Sequence, residues 1–497
     1  MKIVKNIAIG MVALLGLNSC TSNYLDTKDT TYLGEEEASQ AAAQNSDVFL
    51  NGMWSYMVSG FIASNTDHSN FGYMASLLST DVMSEDIAFL TSHWFVYDYQ
   101  LDYRLENWMR TRHHWQLYYT LIAKANEVIS LYPDGGETVN EKGLLGQALA
   151  LRGMSYYYLI QLYQDYMNED GTIKRDAPGV PLVYTLADGK TQGEIDAKMG
   201  RNTVGEVIDQ SIADLEKAVK LLDAGYERAN KNYIDASVAR GLLARTYLLN
   251  QEWQKAADTA KAARANYTIM DKTGLHDGFM NIENAEWMWG FDHNTETQTT
   301  YASFFSHMSS LGPGYGGTVG CVKMIDARLY SKIADTDYRK SLWNGPAGDP
   351  SQATPAAQKP YANVKFGWDG QWTMDYMYMR AAEMVLIEAE ALARLNKGTE
   401  AAAALKVLMA NRQPDWNETL VNVDDVLLQR RIELWGEGFS YFDLKRNNLG
   451  IDRNYEGNNH LAGCKLKVPA HDVLWTYQIP LSEIQENSLI GEEDQNP

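Results

Sequence analysis

Three groups of residues in this chain could do chemistry: adjacent carboxylates, a charged run near the C-terminus, and aromatic rings set in loops. Glu85-Asp86 and Asp424-Asp425 are the adjacent acids. Glycoside hydrolysis needs two carboxyls facing one cleft, roughly 5–9.5 Å apart. In a chain with 64 acidic residues, such neighbours arise freely, so a glycoside hydrolase is the alternative from another class rather than the leading reading. The run Arg430, Arg431, Glu433, Glu437, Asp443, Lys445 and Arg446 mixes both signs. Glu433 and Glu437 sit at i, i+4 with arginines just before them. That pattern predicts ion pairs pinning a helix to its neighbours. No G-x-S-x-G or P-loop pattern is present, and no catalytic residue is assigned.

The aromatic content is unusual: 13 Trp, 30 Tyr and 12 Phe. Most must be core. Yet an aromatic plane takes the apolar C–H face of a sugar, and nearby Asn, Asp, His or Arg takes its hydroxyls. Trp94 and Tyr97 lie on an irregular segment after Thr80-Asp81, Asp67 and His68 lie in the loop before it, and Tyr301 and Tyr315 lie in a second loop-rich region. These six are the candidate ligand-binding residues. No CxxC, HExxH or close His/Cys cluster points to zinc. Calcium on loop carboxylates stays open, although no EF-hand pattern appears. No cofactor is expected.

The elements that must position these residues are mainly helical. Apolar spacing predicts helices at about 47–59, 112–131, 143–166 and 203–222. The last opens on a capping box, Thr203 with Glu206. Tyr233 to Ala265 carries Leu243, Ala244, Tyr247, Trp253, Ala256, Ala260 and Ala263 at the positions of a tetratricopeptide-like helix–turn–helix. Met377 to Asn411 reads as another. One such unit cannot bury its face alone, so about three or more are expected. Asn284 to Phe291 alternates like a short strand, with Trp287 and Trp289 as core. Gly312 to Gly317 reads as a mobile glycine-rich loop, and 423–435 as a further helix.

The chain begins with Lys2, Lys5 and an apolar run from Ile7 to Leu17, too short to span a bilayer. It leads to Leu17-Asn18-Ser19-Cys20, which is similar to a bacterial lipobox, and Cys20 is the expected lipidation site. Stable anchoring would then come from the acyl chains alone. The net charge of −21 argues against nucleic acid and against bare anionic membranes. Cys321 and Cys464 remain, and their separation leaves pairing open. The expected organisation is a signal over 1–19, a lipidated tether over 20–44, and a helical repeat scaffold with loop insertions over 45–266. A loop-rich ligand-binding region over 267–375 and a C-terminal repeat over 376–497 complete it.

Several stretches, in order, resemble one family, the SusD/RagB-like outer-membrane nutrient-binding lipoproteins of Bacteroidetes. They are Cys20 with Tyr24-Leu25-Asp26, Ala150-Leu151-Arg152 on to Tyr163, Pro178-Gly179-Val180-Pro181, and Met379-Arg380-Ala381-Ala382-Glu383. The strongest is Arg430-Arg431-Ile432-Glu433-Leu434 with Glu437-Gly438 and Tyr441 to Arg446. The resemblance implies a tetratricopeptide-like helical scaffold carrying an irregular binding region, without catalysis. It implies a lipid-anchored protein on the outer surface of the outer membrane. Its partners would be a SusC-like TonB-dependent transporter and an oligosaccharide, or a peptide as some relatives handle. It also implies that the region of Trp94 and Tyr97 supplies aromatic platforms.

Overall fold

The computed structural model describes residues 47–497; the signal, Cys20 and the acidic tether lie outside the described residues. The chain enters through α1 (Asp47–Val58) and α2 (Gly72–Asp81), then a short strand β1 (Ile87–Phe89) and a single helical turn α3 (Val96–Tyr99). Two long helices come next, α4 (Met109–Leu131) and α5 (Val139–Leu162), then α6 (Val204–Leu222), α7 (Ala236–Leu249) and α8 (Trp253–Ala263). The middle of the chain holds β2 (Trp287–Phe291), α9 (Phe304–Met308), β3 (Lys323–Ile325) and β4 (Tyr376–Arg380). The C-terminal helices are α10 (Ala381–Arg394), α11 (Gly398–Met409), α12 (Val423–Glu433) and α13 (Ser440–Arg446).

The long helices pack in a row: α4 on α5, then α6, α7, α8, α10 and α11, each against the one before. This is the mainly helical, tetratricopeptide-like scaffold that the alanine and leucine spacing predicts. Small residues set the crossings. A β-carbon at Gly153 of α5 would fall 2.8 Å from Leu215 Cγ and 3.0 Å from the Ser211 carbonyl of α6. Ala244, Ala256, Ala260 and Ala263 are fully buried between α7, α8 and their neighbours. Close backbones of this kind maximise dispersion contact. The Thr203–Glu206 capping box forms, with Glu206 N–H donating to Thr203 Oγ1 (3.2 Å) and Thr203 N–H to Glu206 Oε2 (3.0 Å). The stretch from Met377 is different: Tyr376–Arg380 is strand β4, paired antiparallel with β2, and the helical repeat begins at Ala381. Alternating Tyr and Met side chains pack the β2–β4 ladder, with Trp287 and Trp289 fully buried beside it.

The charged C-terminal run works as structure, with partners drawn from far along the chain. Arg380 binds Glu286 (2.7 Å), Glu433 (2.6 Å) and Glu437 (2.8 Å). Arg412 and Arg339 add 2.9 and 3.2 Å contacts to the same Glu433, and Lys365 binds Glu437 at 2.6 Å. These cations hold the buried Glu433 carboxyl well below the usual range, against the opposing cost of burial. Three of the four adjacent acids are committed too. Asp86 and Glu85 both bind Arg431 (2.5 and 3.0 Å), and Glu85 also binds Arg328 (3.0 Å). Asp425 caps α12, its carboxylate accepting from the Asn422 N–H at 2.9 Å. Cys321 and Cys464 are separate buried thiols, so the open question of pairing resolves to free cysteines. Among the described residues, no helix is long and apolar enough to cross a membrane.

Two strand pairings bring loops from distant parts of the chain together. β1 lies against β3, with Ile87 opposite Ile325, so the chain just before Trp94 runs beside the chain just after Tyr315. β2 lies against β4, which carries the segment around Tyr301 to the one ending at Trp372; Thr299 N–H donates to the Trp372 carbonyl at 3.0 Å.

Candidate functional site

The loop between α1 and α2 closes on itself. Gly60 and Phe71 form an antiparallel bridge, and the Phe61 N–H donates to the Asn70 carbonyl at 2.8 Å. His68 is at its tip, where three segments meet. Its ring stacks on Trp94, centroids 5.7 Å apart and planes 17° from parallel. Its Nδ1 hydrogen-bonds with Tyr315 Oη at 2.8 Å, and its carbonyl accepts from His307 Nε2 at 2.9 Å. Phe61 meets the ring edge-on at 6.0 Å.

Tyr315 is held from behind. His307 of α9 stacks under it (4.8 Å, 14°) and on Phe71 in turn (5.6 Å, 15°). Burial, with the Lys323 ammonium nearby, holds His307 well below the ordinary imidazole value, so it stays neutral. The glycine-rich stretch carrying Tyr315 is a packed turn rather than an open loop. Its backbone bonds to α9, Gly316 N–H to Ser306 O at 2.8 Å. A β-carbon at Gly317 would fall 1.8 Å from the Gly312 carbonyl, and one at Gly312 would fall 2.6 Å from Trp368.

From Tyr315 the rings continue outward. Tyr301 sits edge-on to it (5.5 Å, 84°), Trp372 lies 5.8 Å from Tyr301, and Trp368 lies 4.8 Å from Trp372. The result is a run of rings through Phe61, His68, Trp94, Tyr315, Tyr301 and Trp372. Trp94 and Tyr315 are half-buried and Tyr301 exposed, so the run is a surface rather than a core. Phe61, Phe95 and Trp372 take φ near +60° (61, 69 and 63°). Bulky residues rarely adopt that region, and each costs about 1–3 kcal/mol, which surrounding packing must offset.

Beside the rings lies a groove of about 340 Å³, walled by Asp67, Ser69, Trp94, Tyr97 and Tyr103. Tyr97, half exposed, belongs to a second trio: Trp108 at 6.1 Å and near-parallel, and Tyr103 at 5.6 Å. Tyr103 Oη donates to Asp67 Oδ2 (3.3 Å), while Asp67 Oδ1 accepts from the Ser69 N–H (2.8 Å). Beneath, Asp98 pairs with the fully buried Arg110 (2.9 Å), and Arg110 Nη2 donates to Ser69 O (3.0 Å). Burial pushes the Asp98 carboxyl up to about 6, against the pull of Arg110.

The structure thus brings His68, Trp94, Tyr315 and Tyr301 into one chain of ring contacts, and sets Asp67 and Tyr97 on the adjoining groove. Cys20 lies outside the described residues. Sequence reasoning missed Phe61, Tyr103, Trp108, Trp368 and Trp372 as members. For the last two a signal existed: tryptophans in the glycine-bearing stretch Gly367-Trp368-Asp369-Gly370-Gln371-Trp372 are poor candidates for a helix or strand core. Among the described residues, no group of three or more His, Cys, Asp or Glu converges as a metal-ligand set.

Comparison with known proteins agrees with this architecture. Residues 24–248 match a SusD-like family described as "Starch-binding associating with outer membrane", and residues 333–497 match the SusD family itself. SusD-like protein P2 of Formosa agariphila is 25% identical over 384 residues, covering 68% of this chain and 71% of that protein. A SusD-like carbohydrate binding protein from Bacteroides vulgatus, known from its crystal structure, is 27% identical with a TM-score of 0.76, covering 91% of this chain and 98% of its own. A laminarin binding SusD-like protein shares the fold at 18% identity and a TM-score of 0.66, over 91% of this chain and 99% of its own. With its ordered motifs and helical scaffold matched in this way, the chain belongs to the SusD/RagB-like family.

Proposed function

We propose that this protein captures oligosaccharides on the aromatic surface around His68, Trp94 and Tyr315 and delivers them to a TonB-dependent transporter. The observation that carries the reading is the run of rings itself, open to solvent on one side and flanked by a groove with a carboxylate and hydroxyls. Apolar sugar faces fit the rings, and ring hydroxyls fit Asp67, Tyr103 and Ser69. Similarity to proteins described as carbohydrate- and laminarin-binding supports the ligand class. The transporter partner, the lipid on Cys20 and the place at the outer-membrane surface rest on the family.

The test is a panel of oligosaccharides and peptides against protein lacking residues 1–20. At least one oligosaccharide binds, and Trp94→Ala weakens it about tenfold, the worth of one ring contact plus its buried area. Binding of peptides alone, or affinity unmoved by Trp94→Ala, sinks the reading. Copurification of the intact chain with an outer-membrane barrel tests the partner.

A further inference from the structure

The charge around the groove is one-sided. Among the described residues, its lining holds two carboxylates, Asp67 and Asp98, and no lysine or arginine. Asp98 is already matched by Arg110, whose guanidinium is fully buried beneath the floor and spent on Asp98 and Ser69. Asp67 makes no direct ion pair: its carboxylate accepts from Ser69 and Tyr103, and the buried Arg110 reaches it only through the Ser69 hydroxyl. His68 Nδ1 is taken by Tyr315, and His93 is held below its ordinary value by desolvation and by the Lys323 ammonium. Lys323 itself is buried over the Phe89 ring, with its Nζ on the Cys321 carbonyl. An anionic ligand would therefore meet a carboxylate with no lysine or arginine in the groove wall to answer it, on a chain whose net charge is already −21.

We infer that the groove selects glycans without carboxylate or sulfate groups, with Asp67 as the residue that rejects anionic sugars. This rests on the glycan-binding reading above and adds the substrate class. A second negative charge placed about 5 Å from Asp67 lowers affinity by about fourfold even at water-like dielectric. Salt weakens the penalty, because the screening length falls to about 3 Å at 1 M.

The experiment compares a neutral glycan that binds the purified protein with the same glycan oxidised at C6 to the uronate, by calorimetry at low and high salt. The oxidised form binds about fourfold more weakly at low salt, and high salt narrows the gap. In Asp67→Asn, which keeps the Oδ1 acceptor for Ser69 and offers Tyr103 Oη a donor instead, the ratio of neutral to oxidised affinity falls about fourfold. Equal or tighter binding of the oxidised form at low salt overturns the inference while glycan binding stands. So does a ratio unchanged in Asp67→Asn. Failure of every glycan, neutral or anionic, overturns the glycan reading and this inference with it.

Discussion

Tyr315 Oη and His68 Nδ1 meet at 2.8 Å although 247 residues separate them in sequence. That bond joins the packed glycine turn to the tip of the first loop, and both rings belong to the exposed run. A hydrogen bond between side chains of this kind contributes about 1 kcal/mol. Here its larger effect is to fix the angle between two rings of the candidate surface.

Tyr315→Phe keeps the ring and loses the bond. Stability drops by about 1 kcal/mol, read as a lower melting temperature. Oligosaccharide affinity falls by about threefold, less than the roughly tenfold loss for Tyr315→Ala. Calorimetry on both variants checks this, and equal losses would mean that ring orientation plays no part.

Trp372 extends the run beyond Tyr301, so Trp372→Ala lowers affinity for longer oligosaccharides by about tenfold while short ones lose less. Trp253, packed under Arg394 on α8, serves as the control: Trp253→Ala leaves affinity unchanged. A chain-length series titrated against both variants decides it.

Glu433 receives three arginines in the buried network. Glu433→Gln leaves them short of one charge and costs about 3–5 kcal/mol of stability. Because its folded pKa is depressed, the stabilisation is present above the unfolded value of about 4.5 and is lost as pH falls through the folded one. Urea denaturation at pH 7 shows the loss, and the gap between the variant and the parent shrinks toward strongly acid pH.

Asp81 has the opposite sign. It is fully buried, one carboxylate oxygen has no partner among the described residues, and burial pushes its pKa up to about 6 despite the Ser440 N–H. A raised carboxyl contributes stability below its unfolded pKa of 3.8, and that contribution disappears as pH rises to about 6. Asp81→Asn removes this pH dependence. Relative to the parent, the variant gains about 2 kcal/mol between pH 4 and pH 7. Denaturation at the two pH values measures it, and a flat difference refutes it.

Local pattern made the scaffold legible. The Thr203–Glu206 box, the buried alanines of α7 and α8 and the helix of α12 all depend on residues within a turn or two of each other. The members of the candidate site that lie together, His68, Trp94, Tyr315 and Tyr301, were legible because they are rings in irregular segments. What escaped depends on long-range pairing. β4 reads as helix until β2 is beside it. Trp372 reads as an isolated loop residue until Thr299 and Tyr301 are brought to it. The arginines on Glu433 come from positions 339, 380 and 412, and the motif around residue 430 contains none of them.

The crowding of the glycine turn divides the site into a fixture and replaceable parts. Gly312 and Gly317 leave no room for any side chain, so the seat of Tyr315 cannot be edited without moving it. Tyr301 and Tyr97 point outward and touch little that the fold needs. A library built on this surface should vary those rings and leave the turn alone.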